Sequence, residues 1–83
     1  MLDLIKKYIN NLDVKTINDF LTNENIYLNS DELNHIYNII KDNWYDILYN
    51  NNIEKYKSYV SLDNYTKLYN LYIKYYSKYK NYL

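Results

Sequence analysis

The stretch INNLDVKTINDFLTNENIYLNSDELNHIYNII, residues 9–40, decides the fold. Apolar residues recur every three or four positions in both of its halves. Leu12, Val14, Ile17 and Leu21 come first, then Leu33, Ile36, Tyr37 and Ile40, the spacing of a helix with one buried face. The chain contains no Gly and no Pro, so its helix ends must be written in side chains. Asp13 and Asn29 stand where an N-cap oxygen accepts from free amides in the next turn. Each is framed by an apolar pair five residues apart, Leu12 with Ile17 and Leu28 with Leu33, the hydrophobic staple that fixes how a chain enters a helix. Asn29 followed by Glu32 has the spacing of a capping box. Between the two helices, NENIYLNS (residues 23–30) reads as an extended connector. Asn25 is its natural left-handed residue, and Ile26 and Leu28 are pinned inward on either side of Tyr27.

Working outward, Leu2, Ile5, Ile9 and Leu12 outline a first helix. Downstream the third stripe continues through Trp44, Ile47 and Leu48, which makes Trp44 an expected core residue. The stripe passes through Asp42 and Asn43 and leaves open whether the helix breaks there. The Asn50–Asn52 run with Glu54 suggests another start, followed by a short stripe of Ile53, Tyr56 and Val60. Ser61 supplies a third cap, with Val60 and Tyr65 as its staple. Tyr65, Leu68, Tyr69, Tyr72, Tyr76, Tyr79 and Leu83 then mark a long last helix. No sustained alternation suggests strands. The expectation is an all-α fold, a compact bundle of four to five helices with a long Tyr-rich C-terminal helix, forming a single domain over residues 1–83.

Composition narrows the function. Asn, Tyr, Leu, Ile and Lys supply 60 of the 83 residues, and Ala, Gly, Pro, Arg, Gln and Cys are absent. These preferences match an AT-rich genome, so the aromatic excess is partly a matter of codon supply. Only 26 residues are strictly apolar once the 14 Tyr are set aside. Much of the interior must therefore be Tyr, whose hydroxyl needs a partner or water. The absence of Cys excludes disulfides and thiolate chemistry, and the absence of Gly excludes a glycine-rich phosphate loop. Asp3 and the early lysines interrupt any signal-peptide stretch, and no apolar run approaches the roughly 20 residues that span a bilayer. A cytoplasmic protein with no membrane association is expected.

Enzyme chemistry finds little footing. His35 is the single histidine and falls at the edge of the third stripe, where a surface role is expected. No Ser has a base and an orienting acid assembled around it. Asp42 and Asp46, one helical turn apart, lack a histidine partner for a metal. Residues 21–32 superficially resemble a calcium loop ending on Glu32, but Leu21 stands at its first ligand position and Ile26 at the turn that needs Gly. The reading is non-catalytic, with no cofactor and no metal. The helix–connector–helix over roughly residues 14–40 also resembles SAP-like DNA-binding modules. It lacks their loop glycine and basic residues, and Asp19, Glu24, Asp31 and Glu32 would meet the phosphates.

The last third is where charge and aromatic residues concentrate. Residues 1–54 carry a net charge of −5 and residues 55–83 a net charge of +5, and nine of the 14 Tyr lie in the second part. On a helical wheel, apolar and aromatic residues cover about 200° of the last helix, whereas a core-facing stripe needs about 100° or somewhat more. Leu71, Tyr72, Tyr75, Tyr76, Tyr79 and Tyr82 are therefore the candidate partner-binding residues, for an unknown protein or a second copy. Tyrosines with rings on the core and hydroxyls in water would account for the same width. The alternative is nucleic-acid binding through Lys67, Lys74 and Lys78, which align on one edge among the tyrosines. It is disfavoured by the acidic remainder of the domain and the lack of Arg.

With these helices placed, the chain resembles a short, uncharacterised all-helical family of low-GC Gram-positive bacteria, a domain of unknown function. The resemblance rests on the spacing in residues 9–40, the aliphatic turn at Ile47–Leu48 and the final helix around Lys67–Leu71. The chain departs from the family pattern at Val14, where a helix-opening Pro is natural, and in carrying Tyr where charges or Phe are expected. The resemblance implies a small cytosolic helical protein and supplies no activity or site.

Overall fold

The computed structural model describes residues 2–82, and the side chains of residues 3–81. Leu83, which the last stripe includes, lies outside the described residues. Four α-helices follow in order: α1 (Leu2–Asn10), α2 (Val14–Asn23), α3 (Ser30–Asn50) and α4 (Leu62–Tyr79). A 3₁₀ turn at Glu54–Tyr59 joins α3 to α4, and another at Lys80–Tyr82 follows α4. No strand occurs among the described residues. The architecture is an all-α globule with a radius of gyration of 12.3 Å, close to the roughly 12 Å of a compact domain of this length.

All three expected caps form. Asp13 Oδ1 accepts from the Thr16 amide at 2.7 Å, and Ser61 Oγ from the Asn64 amide at 3.2 Å. Asn29 and Glu32 close a complete capping box on α3. Asn25 has the left-handed conformation, φ 62°, and ends α2 in a Schellman motif. The Ile26 amide donates to the Leu21 carbonyl at 2.8 Å and the Asn25 amide to Thr22 at 3.0 Å. That motif brings the residue after the turn onto the residue three before the helix end. Leu21 and Ile26 accordingly sit together in the core.

Two features fall between the sequence signals. Helix α3 bends at Asn43, whose φ of −129° and ψ of 15° are non-helical; Asn competes poorly as an interior helix residue. The stripe Ile53–Tyr56–Val60 is a 3₁₀ turn rather than an α-helix. Six residues are too few to nucleate a stable α-helix. Asn51, left-handed at φ 54°, turns the chain out of α3. Asp46 then fastens this corner. It accepts from Asn50 Nδ2 at 2.8 Å and Asn52 Nδ2 at 3.1 Å and pairs with Lys55 Nζ at 2.6 Å. The Asn50 bond, then the Lys55 ammonium, hold its carboxyl below the usual range.

The closed core is small. Ile17, Leu21 and Ile26 are buried, and Leu12, Leu28, Leu33, Ile36, Tyr37, Ile40, Leu68 and Leu71 pack around them half-buried. Trp44 is not among these residues. It is half-buried and meets Tyr45 edge-on at 5.8 Å. Helix α1 is held by Lys41 of α3, whose ammonium donates to the Ile9, Asn10 and Leu12 carbonyls at 3.0, 2.9 and 3.1 Å. One cation thus satisfies the open carbonyl end of α1 and complements its dipole.

Glu32 is the one buried charged residue among those described, 8% exposed. Its Oε1 accepts from the Asn29 amide at 3.1 Å and from Asn64 Nδ2 at 3.0 Å. Its Oε2 accepts from the Ser61 amide at 2.7 Å. The same carboxylate therefore caps α3 and seizes the residue that caps α4. The Ser61 bond, outweighing the burial that opposes it, pulls the Glu32 carboxyl below its ordinary range. Because the folded value is depressed, this stability is present above the ordinary carboxylate range and is lost as pH falls through the folded value. Glu32→Ala is expected to cost about 1–3 kcal/mol, since it removes three part-buried hydrogen bonds to a charged acceptor at two helix starts. Urea titrations between pH 3 and 7 should show stability falling below about pH 4.5. Glu32→Gln should show a shallower acid loss, with the remainder carried by Asp46 and Asp13. Leu21→Ala should cost about 2–5 kcal/mol, measurable by thermal melting, and should exceed the loss in Trp44→Ala.

Candidate functional site

Ala and Gly, the residues that let helix backbones approach closely, are both missing from the chain. Interaxial distance follows the side chains at the contact, and the core cluster here is made of Ile, Leu and Tyr. Helix α4 consequently stands off from α1, α2 and α3. Long tyrosines bridge the gap and hook their hydroxyls onto the far side. Tyr72 donates to the Ile47 carbonyl at 2.8 Å and also bonds Asn51 Oδ1. Tyr75 donates to Glu24 Oε1 at 3.1 Å. Burial raises the pKa of Tyr72; at Tyr75 the Glu24 carboxylate is the main cause of the rise.

The gap is a half-open apolar groove of about 540 Å³, within the roughly 300–1,000 Å³ of ligand pockets. Its floor is the core itself, Ile17 and Leu21 of α2 with Ile36 and Ile40 of α3. Ile5 and Ile9 of α1, with Leu12 just beyond it, form one wall, and Leu68, Leu71 and Tyr72 of α4 the other. Tyr8, Thr16, Phe20, Tyr75, Tyr76 and Tyr79 also line it, and the exposed ones among them, such as Tyr8 at 65%, mark its mouth. Phe20 and Tyr75 close one end, ring centres 5.9 Å apart. The molecule exposes 5835 Å², against about 5,400 Å² for a folded monomer of its mass.

The sequence-derived residues divide between this groove and its rim. Leu71 packs on the core cluster. Tyr72, Tyr75 and Tyr76 are half-buried in the groove wall, with Tyr76 stacked on Tyr72 at 5.6 Å. Tyr79 is exposed and stacks on Tyr75 at 6.3 Å. The side chain of Tyr82 lies outside those described. Of the lysines, Lys67 pairs with Asp63 at 3.3 Å and Lys74 with Glu24 at 3.8 Å. Lys78 lies over the Tyr79 ring at 5.4 Å.

The groove wall built by α1 and Phe20 was not singled out from the sequence, although Ile5, Ile9 and Leu12 share a helical face that could have signalled it. A second missed feature is an outer row on α4. Leu62, Tyr69 and Ile73 are 68%, 39% and 37% exposed and recur at the 7- and 4-residue spacing of one helix face. The over-wide stripe of α4 thus has two parts, one lining the groove and one facing water.

A smaller cavity of about 190 Å³ lies against the α3 bend, lined by His35, Asn38, Ile39, Asp42, Asn43, Tyr56 and Tyr59. His35 meets Tyr59 edge-on at 5.2 Å, with Nδ1 3.4 Å from the Tyr59 carbonyl oxygen. The Tyr56 hydroxyl is buried there with no hydrogen-bond partner. Among the described residues, no three His, Asp or Glu side chains converge on a point that could hold a metal, and no helix is long and apolar enough to cross a membrane.

Tyr72→Phe keeps the ring and removes both hydroxyl bonds. It should lower stability by about 0.5–1.5 kcal/mol in chemical denaturation, whereas Tyr27→Phe, at a side chain 66% exposed, should change it by less than about 0.5 kcal/mol. Comparison with known proteins returns no match to a family model, a curated protein or a solved structure.

Proposed function

We propose that the protein is a non-catalytic interaction module that engages another protein, or a second copy of itself, through the Tyr-rich last helix. The observation carrying this reading is the outer row Leu62, Tyr69 and Ile73, a line of large apolar side chains kept in water on α4. Tyr is favoured in interface cores because it buries a large ring at low conformational cost. Residues 55–83, which include α4, carry a net charge of +5, which suits a partner with acidic groups around an apolar centre. The setting we propose is the cytoplasm, in keeping with a chain that holds no cysteine.

The test uses a photo-crosslinking amino acid at position 69 in the native cell, alongside light scattering on the purified protein. A discrete adduct at 69, of either the dimer mass or a larger one, is expected. It should disappear when Ile73→Glu and Leu62→Glu are added, with helical content unchanged by circular dichroism. Absence of any discrete adduct, together with a strict monomer at high micromolar concentration, would remove this reading.

A further inference from the structure

We propose that the groove beneath α4 binds one single-chain anionic amphiphile of the fatty-acid class, its hydrocarbon chain along the floor and its carboxylate at Lys78. This inference concerns the inner side of α4 and does not depend on the outer row. Three observations select the occupant. The first is depth. The groove runs from exposed Tyr8 and Thr16 at the mouth down to Ile17 and Leu21, which are buried core residues. A volume of about 540 Å³ suits a single polymethylene chain better than a partner helix about 10–12 Å across with its side chains. The second is wall chemistry. Lining side chains such as Ile5, Ile9, Ile40 and Leu68 offer water no hydrogen bonds, so replacing water there by hydrocarbon is favourable in proportion to the area covered.

The third is charge at the rim. Lys78 and Lys74 each lie 5.4 Å from the ring centres of Tyr79 and Tyr75, two rings of the groove mouth. Lys74 is already matched by Glu24, which also takes the Tyr75 hydroxyl. Lys78 has no carboxylate within 4 Å among the described residues. It remains as a cation at the edge of an apolar slot, where an anionic head group completes the pairing. The Tyr72 and Tyr75 hydroxyl bonds tie α4 to the ends of α3 and α2 on either side of this slot.

The test is calorimetric titration of the intact protein with palmitate, myristate and dodecanoate below their aggregation thresholds, with dodecyltrimethylammonium as the cationic comparator. Saturable one-to-one binding is expected, weakening by about fourfold for each methylene removed. Lys78→Glu should weaken carboxylate binding by roughly threefold to tenfold and improve the cationic comparator. Thr16→Trp, which adds bulk at the mouth without emptying the core, should abolish binding while leaving the circular dichroism spectrum unchanged. Tyr69→Glu with Ile73→Glu should leave palmitate binding intact, which separates this site from the outer row. The proposal is overturned by any of three results: no saturable palmitate binding, binding indifferent to Thr16→Trp, or equal affinity for dodecanoate and dodecyltrimethylammonium. A dimer whose formation protects Tyr8 and Tyr79, and which palmitate does not dissociate, would make a second copy the occupant and would also overturn it.

Discussion

One carboxylate organises the molecule. Glu32 closes the capping box at the start of α3 and takes the Ser61 amide and the Asn64 side chain at the start of α4. Two helix origins far apart in sequence are thereby fixed to a single pair of oxygens. The arrangement needs the charged form, because all three partners are donors and an acid proton would displace one of them. It also needs burial, since a solvated carboxylate would exchange these donors for water at little cost. The direction in which α4 leaves that junction sets the line of the groove, so the apolar face described above depends on a polar contact at one end of the bundle.

The second constraint is the missing small side chain. A bundle without Ala or Gly has only bulkier side chains to set between its helices, and it holds three buried hydrophobic residues among those described. Tyrosine resolves this by acting as a spacer with a hydrogen-bonding tip. Tyr72 and Tyr75 keep α4 attached while holding it at a distance, and the rings that fill the gap leave apolar surface on both sides of the helix. A composition favoured by AT-rich coding thus has a mechanical outcome, namely an attached but widely set last helix.

What could be read in the sequence is what is decided locally. Asp13, Asn29 and Ser61 were legible as caps because a cap depends on residues three positions away, and Asn25 because a left-handed turn without Gly leaves few candidates. The inward pinning of Ile26 and Leu28 followed from the same short segment. Contacts made across the chain were not legible. Ser61 and Asn64 reach Glu32 over 29 and 32 residues, and Lys41 reaches the end of α1 over a similar span. Trp44 illustrates the other limit. Its stripe was read correctly, but the bend at Asn43 places it outside the cluster its spacing implied. The groove itself was visible only as an excess, a stripe wider than one core face requires, with nothing local to say which part faced inward.

The lysine clamp on α1 determines how the molecule comes apart. Two carbonyls at the end of that helix and one just after it converge on one ammonium, and its remaining attachment is a half-buried aliphatic edge. Segments with few deep contacts open first and at the lowest free energy. The first nine or so residues therefore form the earliest unit to detach, leaving α2 to α4 joined through Glu32. Since Ile5, Ile9 and Leu12 are one wall of the groove, this partial opening is also a side door. Release of one ammonium would widen the slot there without unfolding the rest of the chain.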